Sequence, residues 1–284
     1  MLDPGLYLVA TPIGNLEDIT LRALRVLREV DRIACEDTRQ TQKLLNHFDI
    51  STPTISYHEH NEQARTAELI ALLQQGGRVA LVSDAGTPSF SDPGFELVRA
   101  SVAAGVRVIP IPGANAALSA LIASGMNTDR FLYVGFLPAK PGARRTELET
   151  LAEGMPGPTL VIYEAPHRIL ETLADVAAVW GDSVRVVVAR ELTKLHEELL
   201  RGTVKEVRLE LAARERVRGE IVLLIEAMPS AQPAKLTGTL VQQLSQLIEA
   251  EGLDEKDALK RLARERGVSK SDLYRELQRE RSKK

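Results

Sequence analysis

The sequence predicts an α/β fold, with two α/β domains followed by a small C-terminal helical domain. Short apolar runs alternate with amphipathic helix patterns in roughly the first 125 residues, and this alternation begins afresh after Asn127. After Pro233 only helical patterns follow. Strands that alternate with helices are typical of a mainly parallel sheet covered by helices on both faces.

The first domain is expected at residues 1–126. Its strands are apolar runs that end in turn or polar residues, and each is followed by apolar residues at helical spacing. Leu21, Leu24 and Leu27, for example, share one face of the first helix. The strands are predicted at residues 5–11, 32–35, 54–57, 79–82 and 106–111. The connections between them should be right-handed.

Each of these strands ends in an unusual loop. The loops read TPIGN, EDTR, HEHN, SDAGTPSFSDPG and PGANA. Ligands bind at the carboxyl ends of parallel strands, so we expect the loops to form one wall of a site. In the longest loop, residues 83–94, Asp92 is expected to be the N-cap of the next helix and Pro93 its first residue. The alternative is that this loop only makes turns and caps.

The second domain is expected at residues 127–229, with a mixed sheet. Its strands are predicted at residues 131–137, 159–163, 184–189 and 220–226, with a helix at about 204–216. The segment PSAQP, residues 229–233, is typical of a linker. The third domain, residues 234–284, has helices on either side of Gly267 and resembles a helix-turn-helix, which is a weak signal.

Charge is distributed unevenly along the chain. The whole chain has a net charge of −3, whereas residues 256–284 contain 11 Lys and Arg against 5 Asp and Glu. A basic tail of this kind suits a polyanion, although a solvated helical face is an equally good explanation. Cys35 is the single cysteine, so a disulfide scaffold within the chain is excluded and a cytoplasmic location is expected. The N-terminal residues do not resemble a signal peptide, and no apolar run predicts a membrane span.

Several familiar signatures are absent from the sequence. There is no GxxxxGK[ST] phosphate loop, no GxGxxG after the first strand and no GxSxG elbow. His58 and His60 lack a further metal ligand nearby in the sequence, so no metal is expected. Small residues and carboxylates in the loops remain, and these suit an adenosine-bearing cofactor held by backbone contacts.

The motifs LVATPIGNLEDIT, EDTR, VSDAGTPSFSDPG, IPGANA and YEAPHR occur in this order. Together they resemble the tetrapyrrole methylase superfamily over about residues 5–227. They are most similar to those of the members that methylate a cytidine ribose 2′-hydroxyl in the decoding region of 16S rRNA in the small ribosomal subunit. The resemblance implies S-adenosyl-L-methionine bound in a cleft between the two α/β domains, and a homodimer.

The resemblance also implies a set of cofactor-binding residues. Relatives often have GxGxG where this chain has TPIGN, which leaves the role of that first loop open between cofactor contact and substrate gate. The remaining positions come from the later loops and from the second domain. They are Asp84, Gly86, Thr87, Asp92, Gly94, Pro112, Gly113, Ala114, Ala116, Tyr163, Ala189 and Glu220.

A ribose hydroxyl is a poor nucleophile, so a base or a nearby cation would help the reaction. The candidates for this role are Glu36, Asp37, His58, Glu59, Glu164 and Lys194. The candidates for holding phosphates are Arg39, Arg144, Arg145, Arg168 and Arg190. As catalytic residues on the RNA side of the cleft we expect Glu36, Asp37, Arg39, Glu164 and Arg168. The alternatives are that Asp37 only caps a helix, that Glu164 only pairs with Arg168, and that Lys194 is only solvated.

Two other functions compete with this hypothesis. The first is a methylase of a small tetrapyrrole-like molecule, against which the basic tail and the basic residues 140–145 argue mildly. The second is a non-catalytic RNA-binding protein that uses its helical tail. The five specialised loops argue against the second, because a protein without catalysis has no need of them. Bound S-adenosylmethionine would also discriminate against it.

Overall fold

A computed structural model describes residues 2–154, 157–227, 239–251, 255–265 and 269–281. The chain divides into two compact units, residues 1–228 and residues 229–284. Both sheets lie in the first unit, and the last three helices form the second.

The first sheet is built from the five strands at the start of the chain. They are β1 (Gly5–Val9), β2 (Arg32–Cys35), β3 (Thr54–Ser56), β4 (Arg78–Val82) and β5 (Val108–Ile111). Their order in the sheet is β3-β2-β4-β1-β5, and every pair is parallel. The parallel α/β prediction is therefore confirmed, and the carboxyl ends of all five strands lie at one edge.

Five helices follow these strands in turn: α1 (Leu21–Glu29), α2 (Thr38–His47), α3 (Glu62–Gln74), α4 (Phe95–Ala103) and α5 (Ala116–Ser124). Successive residues of β4 enter different apolar clusters. Val79 and Leu81 pack with α3 and α4, whereas Ala80 and Val82 pack with α1. This alternation buries both faces of the sheet, which explains the continuous apolar run in the sequence.

The second sheet is mixed, as predicted. Its strands are β6 (Phe131–Phe136), β7 (Thr159–Glu164), β8 (Arg185–Arg190), β9 (Glu198–Thr203) and β10 (Ile221–Glu226). Their order is β6-β7-β10-β8-β9, in which only the β6–β7 pair is parallel. Three helices belong to this sheet: α6 (Pro141–Gly154), α7 (Ile169–Trp180) and α8 (Val204–Ala212).

The two faces of this second sheet bury different clusters. Ile162, Val188 and Leu223 pack with α6, α7 and α8. The opposite face, which includes Val161 and Val222, packs with α5 of the first half of the unit. The sheet is thus covered on one face by its own helices, and its other face is turned toward the loops of the first sheet.

Strand β9 and helix α8 differ from the sequence prediction. Strand β9 was not predicted, because Leu200 is its only buried residue and its alternation of apolar and polar residues is weak. Helix α8 ends at Ala212 rather than near Arg216. At the other end of α8, Thr203 and Glu206 form a capping box, which fixes where the helix begins.

The C-terminal unit contains α9 (Leu240–Glu251), α10 (Glu255–Glu265) and α11 (Lys270–Arg281). Leucines from all three helices share one core, among them Leu244, Leu262 and Leu277. The predicted linker at 229–233 and the turn around Gly267 lie outside the described residues. In the parts of the chain that the structure covers, no helix has both the length and the apolar character needed to cross a membrane.

Candidate functional site

The longest loop, residues 83–94, is joined by hydrogen bonds to three of the other loops. Gly86 and Thr11 exchange backbone hydrogen bonds of 2.9 and 3.0 Å. The Asp37 amide donates to Asp84 Oδ1 at 3.1 Å, and Thr87 Oγ1 donates to the Ala114 carbonyl at 3.2 Å. The loops after β1, β2, β4 and β5 therefore form one connected wall.

The start of α4 differs from the prediction. Gly94, not Asp92, is its N-cap, and the helix begins at Phe95 rather than at Pro93. Gly94 has a φ of 136°, and a Cβ there would lie 2.4 Å from Ser89 Oγ. Ser89 and Ser91 also have positive φ, at 65° and 62°. This irregular backbone leaves Asp92 turned toward the interior of the molecule instead of capping the helix.

A cleft of about 380 Å³ lies where the loops of the first sheet face the second sheet. From the first sheet it is lined by Ile13, Ala85, Gly86, Thr87, Phe90, Ser91, Asp92, Asn115 and Ala116. From the second half of the unit it is lined by Phe136, Tyr163, Glu164, Ala165, Pro166, Ala189, Leu192, Gly219, Glu220, Ile221 and Val222.

Four neighbouring strands supply the floor of the cleft. Phe136 pairs with Tyr163, Tyr163 with Val222, and Val222 with Ala189. Directly paired residues share one face of a sheet, with strands about 4.8 Å apart. The floor is therefore a row about 14 Å long, aromatic at the β6–β7 end and aliphatic at the β10–β8 end.

The predicted cofactor residues divide into two groups. Those that line the cleft are Gly86, Thr87, Asp92, Ala116, Tyr163, Ala189 and Glu220. Asp84, Gly94, Pro112, Gly113 and Ala114 are not among the lining residues. Asp84, Gly94 and Ala114 hold the loops in place through the contacts given above, and Gly113 packs closely on Ala10, where a Cβ would lie 2.9 Å from Ala10 Cβ.

Glu164 and Arg168 form an ion pair at the start of α7. The Glu164 side chain is fully buried and also accepts from the Ala165 amide and from Thr172 Oγ1, both at 2.6 Å. Arg168, with 13% of its side chain exposed, also donates to the Leu137 carbonyl at 3.2 Å. Glu164 and Arg168 therefore hold the end of β7 against the start of α7, as the ion-pair alternative describes.

Other predicted phosphate-binding arginines are engaged as well. Arg144 lies within α6 rather than in a loop, is 1% exposed, and donates to Asp175 at 2.7 Å. The prediction that it binds phosphate is therefore wrong, because its guanidinium does not reach solvent. Arg190 pairs with Glu198 at 3.0 Å. Arg145 is about half exposed and contacts Glu149.

The EDTR loop lies outside the cleft. Asp37 caps α2 and binds the Arg39 guanidinium, and these hydrogen bonds lower the pKa of Asp37 to about 2. Arg39 has 87% of its side chain exposed and borders a polar groove with Thr38, Gln42, Lys43, Asn46 and Thr54. The pKa of Glu36 is raised, mainly by burial and then by the nearby charges of Asp84 and Glu59.

Lys194 does not act as a free base. Its ammonium group donates to Glu191 at 2.9 Å and to Glu220 at 3.0 Å. Burial works to lower the pKa of Lys194, but these carboxylates outweigh it and the pKa is raised. The alternative that Lys194 is merely solvated is therefore also incorrect. Its side chain packs against Gly14 of the first loop, where a Cβ would lie 2.3 Å from Lys194 Cγ.

Sequence reasoning missed the aromatic residues of the cleft. One set of ring contacts joins Phe90, Phe136 and Tyr163, which line the cleft, to Tyr133, which packs beside them. Of these four residues, only Tyr163 was predicted to bind the cofactor. The position of Phe136 at the end of a predicted strand was the available signal. The strand is irregular there, however, and its period does not show which face Phe136 occupies.

The cleft suits an adenosine-bearing sulfonium compound. Its aliphatic floor and the Ile13 and Leu192 side chains can cover a flat ring, and Glu220 at the rim can accept from ribose hydroxyls. Gly86 keeps the space beside Ile13 open, because the Cβ of any other residue at position 86 would crowd Ile13 Cγ2 at 3.2 Å. Asp92 can complement a positive charge. Among the described residues, no group of three or more His, Cys, Asp and Glu is placed to hold a metal ion.

Asp92 lines the cleft and is partly buried. Burial, reinforced by the charge of Glu36, raises the pKa of Asp92 from 3.8 to about 6. The folded state therefore binds this proton more tightly than the unfolded chain does. The stability that protonation provides is fully present below pH 3.8 and is lost as the pH rises through 6.

Asp92→Asn is therefore expected to raise the free energy of unfolding at pH 8 by about 1 kcal/mol, allowing for solvent screening of a half-buried group. The gain should shrink toward zero at pH 4, where the native carboxyl is already protonated. Urea unfolding of both proteins at pH 4, 6 and 8 measures this. A gain that is the same at every pH would show that ionisation of Asp92 is not its cause.

Comparison with known proteins agrees with the motifs and the fold described above. The family model described as Tetrapyrrole (Corrin/Porphyrin) Methylases matches residues 5–208. The ribosomal RNA small subunit methyltransferase I of Halalkalibacterium halodurans is 49% identical over 273 residues, which cover 95% of this chain and 93% of that protein. Its namesake from Synechocystis sp. is 49% identical over 270 residues, covering 95% of both chains.

Solved structures share the fold. A uroporphyrin-III C-methyl transferase from Thermus thermophilus, complexed with S-adenyl homocysteine, superposes with a TM-score of 0.53 at 20% identity. The match covers 78% of this chain and 98% of that one. With a family model that spans most of its length and relatives of nearly half-identical sequence, the chain belongs to the tetrapyrrole methylase family, within the group of ribosomal RNA small subunit methyltransferase I proteins.

Proposed function

We propose that the protein uses S-adenosyl-L-methionine to methylate the 2′-hydroxyl of a cytidine ribose in 16S rRNA of the small ribosomal subunit. The observation that carries this proposal is the 49% identity, over 95% of the chain, to a relative named as a small-subunit ribosomal RNA methyltransferase. The cleft between the loops and the second sheet supports it, because its lining suits the cofactor.

When bound, S-adenosylmethionine supplies a methyl group that its sulfonium already activates. The chain has to place a hydroxyl in line with that methyl and keep water away, and positioning of this kind accounts for much of the rate. Of the carboxylates that line the cleft, Glu164 pairs with Arg168 and Glu220 with Lys194. Asp92 makes no ion pair among the described residues, and its pKa of about 6 leaves it ionised at neutral pH. Because Asp92 lines the cleft, it is our candidate for the group that accepts the hydroxyl proton.

The RNA contacts are assigned to exposed cations. The Arg39 guanidinium, 87% exposed, and Lys43 border the polar groove beside α2, where they can bind backbone phosphates. Glu36 and Asp37 lie next to it and belong to the same side. The basic charge of residues 256–284 is a second place where RNA can bind.

The proposal includes a homodimer. Helix α5 presents Leu118 and Ile122 one turn apart on its surface, with 46% and 77% exposure. Large apolar side chains exposed on one helix face are typical of an interface with a second subunit. Light scattering gives the mass in solution.

A methyl-transfer assay tests the proposed function. The protein is incubated with methyl-labelled S-adenosylmethionine and small ribosomal subunits from cells that lack the activity. We expect label in 16S rRNA and a single nucleotide that resists alkaline cleavage, since a methylated 2′-hydroxyl cannot attack the neighbouring phosphate. Calorimetry without RNA measures cofactor binding separately. Cofactor binding without any label in rRNA would overturn the RNA assignment and favour a small-molecule acceptor.

A further inference from the structure

We propose that Phe136, at the aromatic end of the cleft floor, is the surface on which the base of the target nucleotide stacks. This inference rests on the proposed function and names a binding site for the substrate within it. It follows from the register of β6, from the ring contacts of the aromatic residues, and from the length of the floor.

A β-bulge turns Phe136 toward the cleft. Tyr133 pairs with Val161 and Phe136 with Tyr163, so three residues of β6 advance against two of β7. In a regular strand, residues three apart point to opposite faces, and the extra residue restores the same face. Gly135, at the bulge, has a φ of 76°, which favours glycine. The local backbone thus places a second aromatic ring beside Tyr163 on the cleft side.

The other three aromatic rings, those of Phe90, Tyr133 and Tyr163, hold one another in place. Phe90 stacks on Tyr133 with centroids 4.0 Å apart, and Tyr133 lies edge-on to Tyr163 at 5.4 Å. The Tyr133 hydroxyl also shares a 2.6 Å hydrogen bond with Ser91. These contacts fix the cluster in position, which makes it a rigid support.

Phe136 differs from its neighbours. It contacts Tyr163 edge to face at 5.6 Å, yet 58% of Phe136 is exposed although it lines the cleft. A large apolar ring that is rigidly supported on one side and open to a cavity on the other can receive a flat, unsaturated group.

The floor is long enough for two flat groups. Phe136 and Ala189 lie three strand spacings apart, about 14 Å. The aliphatic end, near Ala189, Leu192 and Glu220, suits the adenosine of the cofactor. The aromatic end is left for the group that receives the methyl, and Asp92 from the loop wall lines the same cleft.

An extruded nucleobase fits this end by its chemistry. Enzymes that do chemistry on a base take it out of its stack and hold it between aromatic or apolar side chains. We infer that a nucleotide whose ribose hydroxyl must enter this cleft leaves its stack in the same way. Stacking of one base on an aromatic residue contributes a factor of about 10 to 100 in binding. Phe136 lies on a strand, so its ring is positioned before the RNA arrives.

The test compares Phe136→Leu with Phe136→Tyr and with a control, Phe131→Leu. Leucine keeps the apolar volume but has no π face, whereas tyrosine keeps the ring. Phe131 lies on the same strand and is 44% exposed, but does not line the cleft. Three quantities are measured: kcat/KM for methylation of small subunits, the Kd for subunits by filter binding with S-adenosylhomocysteine present, and the Kd for S-adenosylmethionine by calorimetry.

We expect Phe136→Leu to lower kcat/KM and weaken subunit binding by about 10- to 100-fold, with cofactor affinity changed less than about twofold. Phe136→Tyr should restore most of the loss, and Phe131→Leu should behave as the wild type. The inference is overturned if Phe136→Leu matches Phe131→Leu, or if its cofactor affinity falls in parallel with kcat/KM. A wild-type protein that labels no rRNA would remove the proposed function itself, and this inference with it.

Discussion

Replacing Arg168 with alanine is expected to lower the free energy of unfolding of the unit formed by residues 1–228 by about 3–5 kcal/mol. The substitution leaves the fully buried Glu164 carboxylate without its cation, although the Ala165 amide and Thr172 hydroxyl still donate to it. A buried charge without its partner is far more costly than the intact pair is stabilising. For a unit of this size the loss corresponds to a fall in Tm of about 10 °C. Urea and thermal unfolding measure it.

A double variant separates the buried charge from the lost packing. Glu164→Gln combined with Arg168→Ala removes both charges, so it should be more stable than Arg168→Ala alone. Because Glu164 lines the cleft, we also expect Arg168→Ala to reduce cofactor affinity together with stability. This differs from what the sequence suggests for an RNA-binding arginine, whose loss would abolish methylation alone. A stable, cofactor-binding and inactive Arg168→Ala protein would show that the structural role assigned to Arg168 is incorrect.

Ala116→Phe is expected to weaken S-adenosylmethionine binding by about 100-fold or more while leaving the fold intact. Ala116 is the first residue of α5, lines the cleft and is partly exposed. Its larger replacement can therefore occupy the space that a ligand needs without displacing the core. Calorimetry measures the cofactor affinity, and thermal unfolding should show a change in Tm of no more than about 4 °C.

Ala123→Phe is the matched control for this variant. Ala123 lies on the same helix, is exposed and does not line the cleft, so the same substitution there should leave cofactor affinity unchanged. Equal cofactor affinity in Ala116→Phe and the wild type would mean that the cofactor binds elsewhere. A large fall in Tm of Ala116→Phe would instead attribute any lost binding to unfolding.

The fold class, and the edge of the first sheet where the loops meet, could be predicted from the sequence alone. Val79 to Val82 form a continuous apolar run, and a strand buried on both faces requires such a run, which local sequence shows directly. The capping of α2 by Asp37 was also predictable, because the Asp37 carboxylate accepts a hydrogen bond from the Arg39 amide, only two residues away. The motif resemblance indicated the family, which the comparisons confirm.

Which of the loop residues line the cleft depends on contacts between distant parts of the chain. Asp84 and Asp92 lie in one loop, yet Asp84 binds the Asp37 amide from another strand end and Asp92 lines the cavity. Arg144 was expected in an open loop, but it is covered by its contact with Asp175 across 31 residues of chain. The bulge in β6 likewise reversed the face of Phe136. Burial and ion pairing depend on residues distant in sequence, whereas caps and strand periods depend on near neighbours, and this difference separates what the sequence predicted from what it did not.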